Sequence, residues 1–431
     1  MKKVILLILF FALAFLVRYI YIQNHQGPIE QDEVTYDTSA VSLLKTGMYV
    51  DTEGMLTSYR PPLYPAFLAV IYAIFGHDYF IVRVIQAIIG AFTVCLFYLI
   101  AEKIFNRKTA VLTAVFSSFY MTFVACVNLL YTETLFSFLL AIMVYIFISR
   151  EKRSLFEFCI LGILAGILTL LRANALFLPL VIVFMLWIRG RNNVADTKKL
   201  YIYSLALIVC SAAVIIPWTV RNYKVQGRFV LISTNGGLNL YQGVSRSPGK
   251  IFDPGTKGEK IWAKVNSVRS ETKKNDIFMQ EAIKIYKTKP LFALKMLVVR
   301  FLFFWNMVDW EILGGDKINY HFLFILPFAV WGTVVGVKNN KNAAILPLLV
   351  LYFCSFVLLF PGTPRYRMPV DGYIIILGCY GILEFINRTK GKVFQVCCVG
   401  TYFLFTYFLY KYSLETKYLM KTLMEKIGLW Q

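Results

Sequence analysis

The chain has few charged residues, and fewer acidic than basic ones. Only 16% of its 431 residues are charged, 24 acidic residues face 45 basic ones, and the mean hydropathy is +0.63. Soluble domains average roughly 25% charged and 45–50% apolar residues, whereas 58% of this chain is hydrophobic. Apolar runs of about 17–22 residues recur, each long enough to cross a hydrocarbon core of roughly 30 Å. The composition predicts an all-α polytopic membrane protein.

Histidines and loop cysteines are scarce. The three histidines, His25, His77 and His321, are too scattered to predict a metal cluster, and none of the eight cysteines lies in a long polar loop. No disulfide framework is expected. The net charge of +21 fits cytoplasmic loops rich in Lys and Arg better than a nucleic-acid surface. We therefore expect the lipid bilayer as a partner, and no nucleic acid.

The apolar runs predict about eleven transmembrane helices in the cell membrane, with the N-terminus in the cytoplasm. Lys2 and Lys3 precede the first run, and basic clusters mark alternate connections as cytoplasmic. No cleavage pattern of small residues follows the first run, so an uncleaved helix is favoured. The predicted spans are 4–22, 80–101, 109–126, 133–148, 155–171, 174–188, 200–219, 321–337, 343–360, 369–387 and 393–411.

Four regions follow from this topology. Residues 1–219 form an N-terminal transmembrane module that includes a first outer loop, 23–79. Residues 220–308 form an extracytoplasmic loop with an interfacial helix, 309–412 form the C-terminal transmembrane helices, and 413–431 form an amphipathic tail. Within the first loop, Val34 to Leu44, ended by Gly47, and Leu63 to Phe75 predict two helices lying on the membrane surface.

The second long loop is polar, with turns expected at Asn235-Gly236-Gly237 and Pro248-Gly249 and an amphipathic helix from Asp276 to Tyr286. Residues Leu291 to Met307 are ambiguous because the run is apolar but carries two basic residues, Lys295 and Arg300. We favour a helix on the membrane surface. If it spans instead, the basic clusters that follow it move from the inner to the outer side.

Ionisable residues near the membrane gather on the predicted outer side, where they are candidates for function because charge is costly at membrane depth. They are Asp32, Glu33, Arg60, Arg83, Glu133, Arg172, Arg221, Arg365 and Arg367, the last two between two late spans. Each also has an ordinary explanation. The loop carboxylates can be solvated, Glu133 and Arg221 can mark helix ends, and the later arginines can reach the interface.

The excess of arginine on that side indicates the kind of ligand. A guanidinium pairs with phosphate oxygens through two parallel hydrogen bonds. Arginines and carboxylates around one outward pocket therefore favour a lipid-linked phosphate as the donor of a transferred group. One carboxylate would deprotonate an acceptor hydroxyl, and the arginines would stabilise the departing phosphate.

Several motifs, in order along most of the chain, resemble those of a known family. The first-loop pattern is Asp32-Glu33 with Tyr36, then Arg60-Pro61-Pro62-Leu63-Tyr64-Pro65, Phe75-Gly76 and Arg83. Later motifs are Thr132-Glu133, Leu171-Arg172-Ala173-Asn174, Pro217-Trp218-Thr219-Val220-Arg221-Asn222 and Pro364-Arg365-Tyr366-Arg367-Met368-Pro369. Together they resemble bacterial family 39 glycosyltransferases of the GT-C fold. That family includes the aminoarabinose transferase and is related to the protein O-mannosyltransferases.

The resemblance implies inverting transfer of a hexose or pentose from a polyprenyl-phosphate carrier in an extracytoplasmic active site. It implies Asp32 as the base and Glu33 as a neighbour that orients Asp32 or coordinates a cation. The implied phosphate ligands are Arg60, Arg83, Arg172 and Arg365, and further pocket candidates are Tyr36, Tyr59, Glu133, Asn174, Arg221 and Arg367. Relatives differ over metal dependence, so a divalent cation is an open alternative to no cofactor.

Other classes of membrane protein would place their charges differently. A transporter of lipid-linked sugars would place them near mid-membrane, often with paired broken helices in two halves. An envelope polysaccharide ligase or polymerase would carry its arginines in a long, late outer loop, and a non-catalytic assembly protein would need no such cluster. We therefore favour sugar transfer to a lipid, glycan or protein acceptor of the envelope. The ligase or polymerase is the main alternative, ahead of the transporter.

Overall fold

The computed structural model describes residues 2–149, 154–190, 197–244, 257–308, 311–314 and 317–388. Over these ranges the chain is helical, and its only β-type pairings are two isolated bridges, Val50–Leu56 and Val308–Ile318. The expected all-α architecture is confirmed. The chain divides into two compact units. The first is Met1–Asn235, Ser270–Lys273 and Met368–Gly372, and the second is the described part of Gly236–Arg269, Lys274–Arg367 and Tyr373–Gln431.

The first unit contains ten helices among its described residues. They are α1 Lys2–Asn24, α2 Asp32–Thr46, α3 Leu63–Phe75, α4 Tyr79–Ile104, α5 Arg107–Phe119, α6 Met121–Cys126, α7 Glu133–Ser149, α8 Leu155–Leu171, α9 Leu178–Gly190 and α10 Thr197–Gln226. Helices in the second unit, two of which also pass through the first, are α11 Gly236–Val244, α12 Lys257–Asn266, α13 Glu271–Thr288, α14 Pro290–Phe304, α15 Tyr320–Asn339, α16 Ile345–Ser355 and α17 Pro364–Arg388.

Within the described ranges, six helical segments are long and apolar enough to cross a membrane. They are Lys2–Asn24, Tyr79–Ile104, Lys198–Gln226, Tyr320–Asn339, Lys341–Leu358 and Pro364–Arg388. Shorter apolar helices run over Leu63–Phe75, Glu133–Ser149, Leu155–Leu171 and Ala173–Trp187. The protein is therefore a multi-pass membrane protein. The predicted span 393–411 and the tail 413–431 lie outside the described residues, so the total of eleven stays a prediction.

The two helices predicted in the first loop form where the sequence predicts them, and their position on the membrane surface stays a prediction. α2 ends at Gly47, whose φ of 70° is left-handed and whose N–H bonds to the carbonyl of Leu43. A left-handed backbone favours glycine, because a glycine has no Cβ to clash there. α3 follows Pro62 and stops at Gly76, with the predicted bounds of Leu63 and Phe75. Its 13 residues extend only about 20 Å at 1.5 Å per residue, which is shorter than the hydrocarbon core.

The span predicted at 109–126 is not one continuous helix, because the helix breaks at Tyr120. Tyr120 has an extended backbone, with φ −63° and ψ 108°, between α5 and α6. In an unbroken helix, the carbonyls of Ser117 and Ser118 would accept from the amides four residues on. Here both accept instead from the buried guanidinium of Arg18, at 3.4 and 3.5 Å. The Tyr120 hydroxyl also donates to Asp371 at 2.7 Å.

Two other boundaries differ from expectation. The span predicted at 174–188 opens with a 3-10 turn at Ala173–Ala175, before α9. The turn expected at Asn235-Gly236-Gly237 is the start of α11, because the Gly237 N–H bonds to the Asn275 side chain at 2.6 Å. A Cβ on Gly237 would lie 2.2 Å from the Asn275 carbonyl, so only glycine allows this approach. The other expected turn, Pro248-Gly249, lies outside the described residues.

Two glycines bring α8 and α10 into backbone contact. A Cβ on Gly162 would lie 2.4 Å from the Leu207 carbonyl, and a Cβ on Gly166 would lie 2.8 Å from the Ser211 carbonyl. Glycines four residues apart let transmembrane helices approach closely, and packing then holds them together. The close approach fixes the ends of α8 and α10, and each of these ends carries a candidate arginine.

The segment Leu291 to Met307 contains α14, and its two basic residues differ in surroundings. Lys295 is half-buried, whereas Arg300 is only 1% exposed. Arg300 donates to the carbonyls of Leu358 and Leu359 at 3.0 and 3.1 Å. Its charge is thus satisfied by the end of another helical segment rather than by lipid headgroups. The surface orientation of α14 stays a prediction.

The amphipathic helix expected from Asp276 to Tyr286 lies within α13, and its Phe278 side chain is buried.

Candidate active site

The candidate site begins at the first residue of α2. The Asp32 carboxylate accepts from Arg60 Nη2 at 2.6 Å, and both side chains are partly exposed. Arg60 Nη1 also donates to the Tyr36 hydroxyl at 3.2 Å. Asp32 and Tyr36 are four residues apart, so both lie on one face of α2. This helix therefore presents a carboxylate and a phenol to one guanidinium.

Two aromatic rings flank Arg60. Its guanidinium carbon lies 4.7 Å from the Tyr36 ring centroid and 5.5 Å from that of Tyr59. Guanidinium groups bind aromatic faces within about 6 Å. Burial raises the pKa of the Tyr59 phenol, which keeps this group neutral. The rings of Tyr36 and Tyr64 form a T-shaped pair with centroids 5.0 Å apart, and the buried Tyr64 hydroxyl donates to Gln86 at 2.9 Å.

The loop between α2 and α3 is held in place by Glu271, in the first turn of α13. One Glu271 oxygen accepts from the Thr57 hydroxyl, and the other accepts from the Ser58 N–H at 2.9 Å. The second oxygen also accepts from Gln226 and Thr234, each at 3.1 Å. One carboxylate therefore ties the residues just before the Tyr59–Arg60 pair to the end of α10.

Arg221, a predicted pocket candidate, supports the same loop. It donates to the Thr57 carbonyl and to the Tyr49 carbonyl, the latter at 3.0 Å. Its guanidinium carbon lies 4.7 Å from the Trp218 ring centroid. These contacts point to a supporting role, since they engage the backbone behind the site. Neither Glu271 nor its bonds were anticipated, because the sequence around it reads only as a polar loop.

We expect Glu271→Gln to lower any activity that depends on Arg60, by on the order of tenfold, since small displacements of a positioned group are costly. All of the contacts that Glu271 makes here come from donors, so an amide NH2 in its place would face N–H and O–H groups. Hydrogen exchange across residues 57–62 should rise. Glu281→Gln, on the same helix, is the matched control, and unchanged exchange in the Glu271 variant would contradict the supporting role.

Glu33 and Arg83 anchor the start of α2. Glu33 is buried, and its two oxygens accept from the N–H groups of Leu130 and Glu30 at 2.7 and 3.0 Å. Burial raises the pKa of Glu33, while these amides and the charge of Arg83 oppose the shift. Arg83 is also buried and donates to the Gly27 carbonyl at 2.8 Å. The predicted roles in orienting Asp32 and binding phosphate stay predictions.

Glu133 and Arg172 form a buried ion pair. Glu133, the first residue of α7, is 0% exposed, and Arg172 follows the last residue of α8. Arg172 Nη1 lies 2.6 Å from Glu133 Oε1 and also donates to Thr132 Oγ1 at 3.3 Å. Asn174 lies in the 3-10 turn just after Arg172. The structure thus brings together two of the predicted residues, Glu133 and Arg172, from two separate motifs.

Arg365 and Arg367 belong to the second unit and lie in the opening turns of α17, not in the loop expected between two spans. Arg367 is 1% exposed and donates to the carbonyls of Phe304 and Asn306 at 2.6 and 3.0 Å. Arg365 lies 3.9 Å from Glu311. The end of α14 therefore engages Arg367, whereas Arg365 faces the carboxylate of Glu311.

Among the described residues, no group of three or more His, Cys, Asp or Glu side chains is arranged to hold a metal ion. Asp37 is a further acidic residue that the motifs did not single out. It lies one turn beyond Asp32 on α2, and it bonds to Tyr72, His77 and Tyr79. Its partners are 35 to 42 residues away in sequence, so no local pattern could have indicated them.

A helical membrane bundle with a charged site in its first loop fits a polytopic fold of the GT-C type. Residues 59–218 match the family model of dolichyl-phosphate-mannose-protein mannosyltransferases. The resemblance read from the motifs is thereby confirmed. An uncharacterized protein of Aquifex aeolicus (strain VF5) is 26% identical over 204 residues, which make up 46% of this chain and 40% of that protein.

Solved structures show the same fold. The apo oligosaccharyltransferase of Archaeoglobus fulgidus aligns with a TM-score of 0.57 and 14% identity, over 94% of this chain and 55% of that one. The archaeal oligosaccharyltransferase AglB from that organism, in complex with an inhibitory peptide and a dolichol-phosphate, aligns with a TM-score of 0.56 and 12% identity, over 94% and 54%. This chain thus spans about half the length of those proteins.

Proposed function

We propose that this protein is a membrane glycosyltransferase that moves a sugar from a polyprenyl-phosphate donor to an envelope acceptor. The observation that carries the proposal is the 2.6 Å pair between Asp32 and Arg60, beside the hydroxyl of Tyr36. A carboxylate and a guanidinium at one point supply the two groups that glycosyl transfer from a phosphate needs. These are a base for the acceptor and a cation for the leaving group.

The proposed reaction is a single displacement. The acceptor hydroxyl attacks the anomeric carbon, the bond from that carbon to the phosphate oxygen breaks, and the phosphate leaves with the electron pair. Asp32 takes the proton of the attacking hydroxyl, and the configuration at the anomeric carbon inverts. Arg60 binds the phosphate by exchanging its bond to Asp32, because a guanidinium pairs equally well with phosphate oxygens. Donor binding therefore releases the base.

The donor class draws support from the family and from the fold. The matching family model is named for dolichyl-phosphate-mannose, and the structure of AglB contains a dolichol-phosphate. Arg83, Arg172 and Arg365 are further proposed phosphate ligands, which follow Arg60 in that order. Arg60 stays the first choice, since Arg83 donates to the Gly27 carbonyl and Arg172 pairs with the buried Glu133.

We place the reaction on the extracytoplasmic side, at the mouth of the first loop. The acceptor is a lipid, a glycan or a protein of the envelope. A divalent cation would act beside Asp32, and chelation by EDTA followed by addition of Mn²⁺ decides whether one takes part.

The test of the function uses purified protein in nanodiscs. Polyprenyl-phosphate sugars, supplied one at a time with a total envelope extract, should yield labelled product and free polyprenyl phosphate. Mass spectrometry of lipids, glycans and proteins from a deletion strain should show which acceptor loses a sugar. An envelope unchanged by the deletion, together with no turnover of any hexose or pentose donor, would refute sugar transfer.

A further inference from the structure

Asp37 gathers three donors from three later parts of the chain. One Asp37 oxygen accepts from the Tyr72 hydroxyl and from His77 Nε2, both at 2.7 Å, and the other accepts from the Tyr79 hydroxyl at 3.1 Å. Tyr72 lies in the last turn of α3, His77 in the connection that follows it, and Tyr79 opens α4. We name these four residues the Asp37 latch.

The aromatic rings of the latch fix one another. The His77 ring packs edge to face against Tyr72 at 4.6 Å and against Tyr79 at 5.1 Å. The ring therefore stands between two phenols while its Nε2 faces the carboxylate. Since each donor comes from a different segment, the latch joins α2 to both α3 and the start of α4.

The latch and the candidate site lie on different faces of one helix. Residues advance about 100° each around an α-helix, so Asp32 and Tyr36 are about 40° apart, and Asp37 is about 100° beyond Tyr36. α2 is thus held by Arg60 on one face and by the latch on another. A rotation of α2 about its axis would break the bonds of the latch and would carry Asp32 away from its partner.

We propose that Asp37 and His77 are positioning residues that set the rotation of α2, and so the place of Asp32 beside Arg60. This inference rests on the proposed sugar transfer. Asp37 touches no reacting atom in this scheme, and it acts only through the helix that it holds. Losing the latch should lower kcat, because the base is needed at the transition state, and should leave the donor KM unchanged, because the donor binds to Arg60.

If the latch only stabilised the fold, a fall in kcat would come with a fall in the unfolding temperature. The His77 side chain is 47% exposed, and exposed ion pairs add little to stability. Removing the ring should therefore shift the unfolding temperature little. A fall in kcat without a fall in that temperature would separate positioning from stability.

The experiment compares His77→Ala, His77→Gln and Asp37→Ala in nanodiscs. His77→Ala and Asp37→Ala should lower kcat on the order of tenfold with an unchanged donor KM. His77→Gln should recover most of the loss, since its amide can donate from the place of Nε2. His25→Ala is the matched control, because His25 lies in the same loop, is exposed, and its ring bonds to the Tyr21 carbonyl in the last turn of α1.

Hydrogen exchange across α2 is measured on the same samples. It should rise in His77→Ala and Asp37→Ala and stay at the wild-type level in His25→Ala. Wild-type kcat in His77→Ala, or unchanged exchange across α2, would overturn the inference. If the wild-type protein transfers no sugar, the proposed function fails. Exchange alone then decides whether the latch holds α2, with a rise supporting it and no change refuting it.

Discussion

Asp32→Asn is expected to abolish sugar transfer while leaving membrane insertion and donor binding intact. The amide cannot take the proton of the acceptor hydroxyl, and loss of a general base costs roughly 10²- to 10⁴-fold in rate. The ion pair with Arg60 is partly exposed, so its loss should cost little stability. Turnover of a polyprenyl-phosphate sugar by purified variant and wild type measures the effect.

Donor affinity gives this experiment a second readout. In Asp32→Asn the Arg60 guanidinium no longer pairs with a carboxylate, so the donor should bind at least as tightly as in the wild type. Arg60→Ala should lose donor binding instead. Glu53→Gln, an exposed carboxylate of the same loop, serves as the control. Full turnover in Asp32→Asn would end the proposed role of this residue.

Local sequence patterns account for the scaffold of the site. α3 has the predicted bounds because prolines precede it and Gly76 ends it. α2 ends where the left-handed Gly47 stops it. The sequence predicts two opposite charges, Asp32 and Arg60, in one loop, but it does not predict that they pair. A hydrogen bond across 28 residues follows from the tertiary fold and not from spacing.

Buried arginines mark what the sequence could not show. Arg18, Arg300 and Arg367 are each 1% exposed, and each donates to carbonyls at or near the end of a helical segment. A helix C-terminus carries partial negative charge and unpaired carbonyls, so it can satisfy a guanidinium without a carboxylate. Arg18 donates to two carbonyls at the end of α5 and so satisfies them without a continuing helix. The break at Tyr120 therefore occurs without a proline or glycine, and the sequence gives no signal of it.

The same reasoning divides the candidate arginines. A motif places Arg365 and Arg367 two residues apart, but only the fold shows that Arg367 is bound to the end of α14. Glu271 and Asp37 were not predicted from the sequence, for a different reason. Their partners come from distant segments, and isolated acidic residues in polar stretches carry no pattern of their own. The sequence therefore predicts which types of residue form the site, but only the fold shows how they are arranged.

The second large effect is expected at the buried ion pair of Glu133 and Arg172. Arg172→Gln leaves the carboxylate of Glu133, which is 0% exposed, without its cation. Breaking a buried pair from one side costs about 3–5 kcal/mol, since it leaves an uncompensated charge. The unfolding temperature of the detergent-solubilised protein should fall well below that of Arg228→Gln, which removes an exposed arginine.

The double variant Glu133→Gln with Arg172→Gln should regain much of that stability, because neither charge then remains buried. It also separates the two interpretations of Arg172. If the regained fold carries out transfer at the wild-type rate, the pair serves only to join α7 to α8. If the double variant is stable but binds the donor poorly, Arg172 contributes a phosphate contact that its partner Glu133 holds in place. A single variant cannot make this distinction, because the cost of the unpaired Glu133 would obscure any loss of donor binding.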